Sequence, residues 1–283
     1  MDEPGIDHGE GAGLLCEFCT QHGEGKKWYD NMRNYSRELL HDPKREEYIR
    51  GFFDHLERHH PRNERLLRTA RRLAPGPYRF LRRMVEPRQK SIHFGQVLPV
   101  EDVEAIIDRV GSVTRLTCVC RKVTTGKELR YCLALGADLA ALLDPHLTYR
   151  DGLEELSAGE AKAAVRRFDK EGQVHSVWTM LTPFIGAVCN CDQDCLAYRA
   201  QHSFDLATVM FKAEYVARVE PELCAGCGEC AEVCRFGAMR DAGGVMAVDA
   251  RACYGCGLCR ARCPSGAIRL VEREWGAKPG LGG

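Results

Sequence analysis

Cys224-Ala225-Gly226-Cys227-Gly228-Glu229-Cys230-Ala231-Glu232-Val233-Cys234 is answered, 29 residues on, by Cys253-Tyr254-Gly255-Cys256-Gly257-Leu258-Cys259-Arg260-Ala261-Arg262-Cys263, with Pro264 next. Both stretches read C-x2-C-x2-C-x3-C. That spacing wraps three thiolates round one face of an iron-sulfur cube and turns the fourth sulfur, one helical turn further on, toward a second cube. The expected ligand sets are therefore crossed: Cys224, Cys227, Cys230 and Cys263 for cluster I, and Cys253, Cys256, Cys259 and Cys234 for cluster II. Zinc is the competing reading, since C-x2-C knuckles suit a tetrahedral site. Paired knuckles need only four thiolates, however, and this phrase supplies a third and a fourth at fixed offsets, twice over.

The repeat runs past the cysteines: Val219 matches Val248, Gly228 matches Gly257, and Phe236-Gly237-Ala238-Met239 matches Ser265-Gly266-Ala267-Ile268. A pseudo-twofold pair is expected. Over residues 215–272 the chain resembles the bacterial dicluster ferredoxin family, which implies a small α+β module with two [4Fe-4S] clusters side by side. One departure is Arg235, which stands where the second copy has Pro264. A guanidinium beside the Cys234 sulfur would favour the reduced form of cluster II, because nearby charge tunes cluster potential; a solvated arginine at a helix end is the plainer reading.

With 283 residues and 45% apolar content, the chain can bury a core much larger than that module. The fold expected is α+β: a charged, mainly helical region over 1–95 with a C-x2-C pair, a cysteine-rich α/β domain over 96–205, the dicluster module at 215–272 after a join near 203–214, and a loose tail over 273–283. Sixteen cysteines would suit a secreted disulfide protein, but Met1-Asp2-Glu3-Pro4-Gly5 is acidic and lacks the basic and apolar regions of a signal peptide. Reduced, metal-ligating thiols in a cytoplasmic and anaerobic setting are expected instead. No apolar run approaches the roughly 20 residues that span a bilayer. Formal charge is zero overall, yet Arg58 to Lys90 concentrates arginines. That stretch is either a solvated helical face or a docking surface for an acidic redox partner; no helix-turn-helix or zinc-finger phrase supports nucleic acid.

Eight cysteines lie outside the module. Ser112 to Cys120 reads as a strand, placing Leu116, Cys118 and Cys120 on one face, and Phe184 to Cys191 reads as a second strand with Cys189 and Cys191 on one face. Between them Lys127 to Leu143 has helical leucine spacing, with Cys132 turned inward. Ser157-Ala158-Gly159-Glu160 is a capping box opening a helix that runs to about Gly172, and His175 to Met180 reads as a strand. Three fates compete for the outer thiols. The first is a third iron-sulfur cluster on Cys118, Cys120, Cys189 and Cys191, with Cys195 or Cys132 replacing one of them. The second is a zinc site, for which Cys16-Glu17-Phe18-Cys19 is the best knuckle and His22 an extra candidate. The third is unligated thiols. The region also loosely resembles the cysteine-rich domains fused to ferredoxin modules in anaerobes' proteins, which implies iron-sulfur chemistry without naming a substrate.

Absences narrow the function. Gly25-Lys26 and Gly126-Lys127 lack the first glycine of a phosphate loop, no G-x-G-x-x-G opens a strand-to-helix unit, and neither G-x-S-x-G nor H-E-x-x-H occurs. Two classes remain. One is an electron-transfer protein that serves a redox partner and has at least one cluster beyond the two. The other is an iron-sulfur reductase whose middle-domain cluster has an open iron, with Arg121 holding an anionic group and His175 or Asp194 supplying a proton. Their plainer readings are a surface charge, a satisfied core residue and a turn former.

Overall fold

The computed structural model describes residues 27–143 and 152–273. Cys16, Cys19, His22 and the tail beyond Arg273 lie outside the described residues. In chain order come α1 (Arg37–Leu40), α2 (Pro43–Leu73), α3 (Pro75–Ile92), β1 (Gly95–Val97), α4 (Val100–Arg109), β2 (Val113–Leu116), α5 (Val119–Thr125), β3 (Cys132–Leu135), α6 (Ala137–Leu143), β4 (Glu154–Leu156), α7 (Ala158–Lys170), β5 (Val174–Thr179), β6 (Ile185–Cys191), α8 (Leu196–Tyr198), β7 (Met210–Phe211), β8 (Tyr215–Val219), α9 (Glu229–Val233), β9 (Met239–Asp241), β10 (Met246–Val248), α10 (Leu258–Arg262) and β11 (Ile268–Glu272). The chain mixes helix and strand, and among the described residues no helix is long and apolar enough to cross a membrane.

Local chemistry fixes several boundaries. Asp42 caps α2 by accepting from the Arg45 amide at 3.1 Å, and Pro43 opens the helix, where its missing N–H costs nothing. The capping box at α7 is formed: Ser157 Oγ accepts from the Glu160 amide at 3.3 Å, and the Glu160 carboxylate accepts from the Ser157 amide at 2.9 Å. The chain leaves that helix through Gly172 at φ +78°. Ile49 and Phe53 seat the first half of α2 in the core, worth about 2 kcal/mol each, whereas Leu66 and Leu73 further along are 58% and 77% exposed.

Seven strands form one sheet in the order β4-β2-β3-β6-β5-β1-β7, antiparallel except where β1 meets β7. Side chains alternate across it. Leu133 and Leu135 join Ile106 and Ile107 of α4 and Val165 of α7 on one face. Ala134 and Cys132 face the other way, with Ile49 and Phe53 of α2 and Leu139 of α6. The join at 203–214 is a strand in part, because Met210 and Phe211 pair with Gly95 and Gln96.

Two sequence expectations fail here. Ser112 to Cys120 is not one strand: β2 stops at Leu116, Cys118 is the N-cap of α5, and Cys120 is helical. A period of two therefore does not relate those thiols. Lys127 to Leu143 is not one helix either. Leucines at 133 and 135 fit strand alternation as well as helical spacing, and pairing of β3 with β2 on one side and β6 on the other decides between them. Gly136, at φ +97°, makes the turn into the short α6.

Candidate functional site

The last two small sheets share one design. β8, which leads into the first cysteine phrase, pairs antiparallel with β11, which leaves the second; β10, which leads into the second, pairs with β9, which leaves the first. Each phrase ends in a helix of one and a half turns, α9 or α10, offset by 29 residues. Gly226 and Gly255 hold matching left-handed conformations at φ +64° and +72°, and a Cβ on either would stand 2.3 Å from the Gly244 carbonyl oxygen or 2.2 Å from that of Tyr215. Glycine is required at both loops by conformation and by space.

This crossing sorts the eight thiols. Cys224, Cys227, Cys230 and Cys263 line one cavity, and Cys234, Cys253, Cys256 and Cys259 line another. Backbone N–H groups aim at the sulfurs: Ala238 at Cys234 (3.2 Å), Met246 at Cys224 (3.4 Å), and both Gly255 (3.4 Å) and Ala217 (3.5 Å) at Cys253. Such donors stabilise the charge of an iron-bound thiolate. Burial and the neighbouring thiols of Cys253 and Cys234 push Cys259 up to about 12, so metal loading releases its proton.

Residues 223–268 match the 4Fe-4S dicluster domain family. No curated protein matches the chain.

Upstream of the dicluster domain, a second set of thiols converges under α2, α5 and α8. Cys132 Sγ lies 3.3 Å from Cys118 Sγ and 3.9 Å from Cys189 Sγ, its register partner on β6. Cys191 hydrogen-bonds Cys195, and Cys120 feels the charge of both Cys118 and Cys195. Six cysteines from β3, β6, α5 and the turns beside them thus meet at one place. Sequence reading held Cys132 as a stand-in; the sheet puts it between Cys118 and Cys189. Burial and neighbouring thiols raise Cys120 to about 12. Cys195 is held below the usual thiol range by the hydrogen bond from Cys191 and by the Arg121 guanidinium, against the effect of burial.

Arg121 is 1% exposed, so the surface-charge reading is wrong. Its guanidinium lies 2.9 Å from the Asp192 carboxylate, donates to the Asn190 carbonyl at 3.1 Å, to Gln173 and to Cys118 Sγ at 3.5 Å, and sits 4.5 Å from the Tyr131 ring. Its Nε finds no partner among the described residues. A signal for the pair was present: each C-x-C is followed directly by a charge, Arg121 after Cys120 and Asp192 after Cys191, of opposite sign. His175 is fully buried, with Nδ1 2.6 Å from Asn190 Oδ1 and Nε2 3.5 Å from Asp169. Asp194 shapes a turn, its amide donating to Asp192 Oδ1 at 2.9 Å and its carbonyl accepting from Thr124.

Two aromatic rings of the dicluster domain face the six thiols. Phe236 and Tyr254 stack at 4.0 Å and 16°, with His202 5.1 Å from each. Phe236 and Tyr254 pack in one apolar group with Cys191, Cys195, Cys189 and Cys256. Burial holds His202 down at about 4, so it is neutral at pH 7. The Arg235 side chain donates to the Gly172 carbonyl at 3.2 Å, fastening the first cysteine phrase to the turn after α7. The bond gives Arg235 a docking role and sets aside the reading of a solvated arginine.

Proposed function

We propose that the chain is an iron-sulfur electron-transfer protein with three centres in line. Cluster I takes Cys224, Cys227, Cys230 and Cys263; cluster II takes Cys234, Cys253, Cys256 and Cys259. A third centre takes four of Cys118, Cys120, Cys132, Cys189, Cys191 and Cys195. The observation that carries the reading is the sorting of eight cysteines into two cavities of four, each holding one thiol from the other phrase. When bound, the clusters supply one-electron redox chemistry at low potential. The chain's own residues position and tune them.

Cluster II is the junction, because Cys256 shares its apolar surroundings with Cys189, Cys191 and Cys195 while Cys259 packs with Cys230 and Cys263 of the first set. Arg121 offsets the negative charge that thiolates and sulfide bring into a buried site, and Asp192, Gln173 and the Asn190 carbonyl hold it there. Partner docking is assigned to the arginine stretch: Arg65, Arg68, Arg71, Arg72, Arg79 and Arg82 line one open cleft between α2 and α3, against Glu64 and Asp205. An acidic redox protein fits that charge.

Iron, acid-labile sulfide and zinc per chain on anaerobically purified protein test the reading. About 12 iron with matching sulfide is the expected result. About 8 iron would leave only clusters I and II and make the six thiols a zinc site or unligated.

A further inference from the structure

The cleft between α2 and α3 is lined by more than those two helices. It encloses about 810 Å³, and its lining includes Val123 and Thr124 of α5 and Arg199, which follows α8. Thr124 Oγ1 donates to the Asp194 carbonyl at 2.6 Å and lies 3.0 Å from the carbonyl of Cys120, one helical turn back. The Arg199 amide donates to the Cys195 carbonyl at 2.9 Å. His60 of α2 stands in the wall of both the cleft and the space among the six thiols, with Nε2 3.1 Å from Glu64. Among the described residues, none from the dicluster domain lines the cleft. Whatever docks there lies beside Cys120 and Cys195.

Seven arginines and two acids, Glu64 and Asp205, line the space. Both acids are already shared: Arg68 and Arg199 reach Glu64, and Arg71 and Arg82 reach Asp205. Arg65, Arg72 and Arg79 have no paired acid among the described residues. That surplus attracts carboxylates and repels a second copy of the chain, whose matching face would set arginine against arginine. The same two helices hold seven of the ten large apolar side chains exposed among the described residues, Leu73 and Phe80 being 77% and 68% exposed. A protein-sized partner covers that surface, and a free anion does not.

We infer, resting on the third centre and the docking cleft proposed above, that the acidic partner exchanges its electron with the third centre, ahead of clusters I and II. One electron passes between that centre and the partner's own one-electron centre; the donor is oxidised, the acceptor reduced, no bond is made or broken and no proton moves. His60 and Thr124 span the partition it crosses. The cleft is one terminus of the relay.

The test uses the full chain, reduced under anaerobic conditions, with tris(oxalato)chromate(III) as the probe and EPR relaxation as the readout. This redox-inert paramagnetic trianion presents carboxylates, and hexaamminechromium(III), a cation of the same spin, is the control. At about 12 iron per chain, the trianion is expected to speed relaxation of the third signal most, and the cation is not. Arg72→Glu combined with Arg79→Glu is expected to weaken that effect roughly tenfold at unchanged iron content, which also shows that the variant folds. One-electron oxidation by tris(oxalato)cobaltate(III) slows by a similar factor. Equal enhancement of all three signals, enhancement greatest on cluster I, or a response that survives the double charge reversal overturns this terminus and leaves the relay standing. About 8 iron overturns the third centre and the inference with it.

Discussion

The Glu220 amide donates to the Ala267 carbonyl at 2.8 Å, and in the repeat, 29 residues on from Glu220 and 29 back from Ala267, the Asp249 amide donates to the Ala238 carbonyl, also at 2.8 Å. Each bond ties the chain entering one cysteine phrase to the chain leaving the other. The exchange carries Cys263 to the first cavity and Cys234 to the second. Cys263→Ser, though it lies in the second phrase, is therefore expected to remove the signal of cluster I with about 4 iron and spare cluster II. Cys234→Ser does the reverse. EPR and iron content check this, and loss of the cluster belonging to the same phrase would mean that the ligands are not crossed.

Gly255 and Gly228 both hold positive φ, at +72° and +80°, but only Gly255 has a carbonyl oxygen 2.2 Å from where a Cβ would stand. Gly228→Ala is expected to cost about 1 kcal/mol from conformation alone. Gly255→Ala has to push Tyr215 aside, at a cost of roughly 3 kcal/mol or more, and loosen cluster II. Denaturation midpoints with cluster absorbance followed alongside separate the two, and equal costs would discount the close contact.

Removing Arg121 leaves the Asp192 carboxylate with no cation, in a place where the arginine itself is 1% exposed and the acid side chain 19%. Arg121→Met is expected to destabilise the fold by roughly 3–5 kcal/mol, and, if the proposed third centre is present, that centre loses its metal first. Arg121→Lys rescues little, because one ammonium cannot span Asp192, Gln173 and the Asn190 carbonyl together. Chemical denaturation and iron retention measure both effects; an Arg121→Met variant with wild-type stability and iron would remove the guanidinium from the account.

Burial holds His93 down at about 4, and its hydrogen bond to the Thr179 carbonyl offsets this only in part. The unfolded chain takes up a proton near pH 6.5 that the folded chain refuses until about pH 4. Stability from this residue is complete above pH 6.5, drains away as the pH falls toward 4, and changes no further below that, a loss of roughly 3 kcal/mol. His93→Phe, which keeps a ring against Trp178, is expected to flatten that slope. Urea midpoints at pH 7 and pH 4.5 read it out, with His202, also near 4, contributing to the slope that remains.

The dicluster domain was legible because its information is local: thiol spacing, glycine at the positive-φ positions and a 29-residue echo all lie within the segment they shape. The capping box at Ser157 and the strand ending in Cys189 and Cys191 were legible for the same reason. The six outer thiols were all named from the sequence, but the elements that bring them together were not legible. Cys132 reaches the others through pairing with β6, more than fifty residues away, and Cys118 and Cys120 reach them on a helix start that strand-like composition hid. The depth of Arg121 is likewise a property of the packed sheet, and no local pattern states how deep a charge will lie.

Met210 and Phe211, hydrogen-bonded beside Gly95 and Gln96, bring the chain into the dicluster domain along a strand of the main sheet. Arg273, bonded to the carbonyls of Ala213, Tyr215 and Cys253, fastens the far end. Carriers that deliver electrons by swinging a domain between docking positions need slack at that entrance. A gap set by strand pairing makes the tunnelling distance a fixed quantity, so any transfer across the Phe236–Tyr254 stack runs at a rate that glycerol or sucrose in the solvent leaves unchanged.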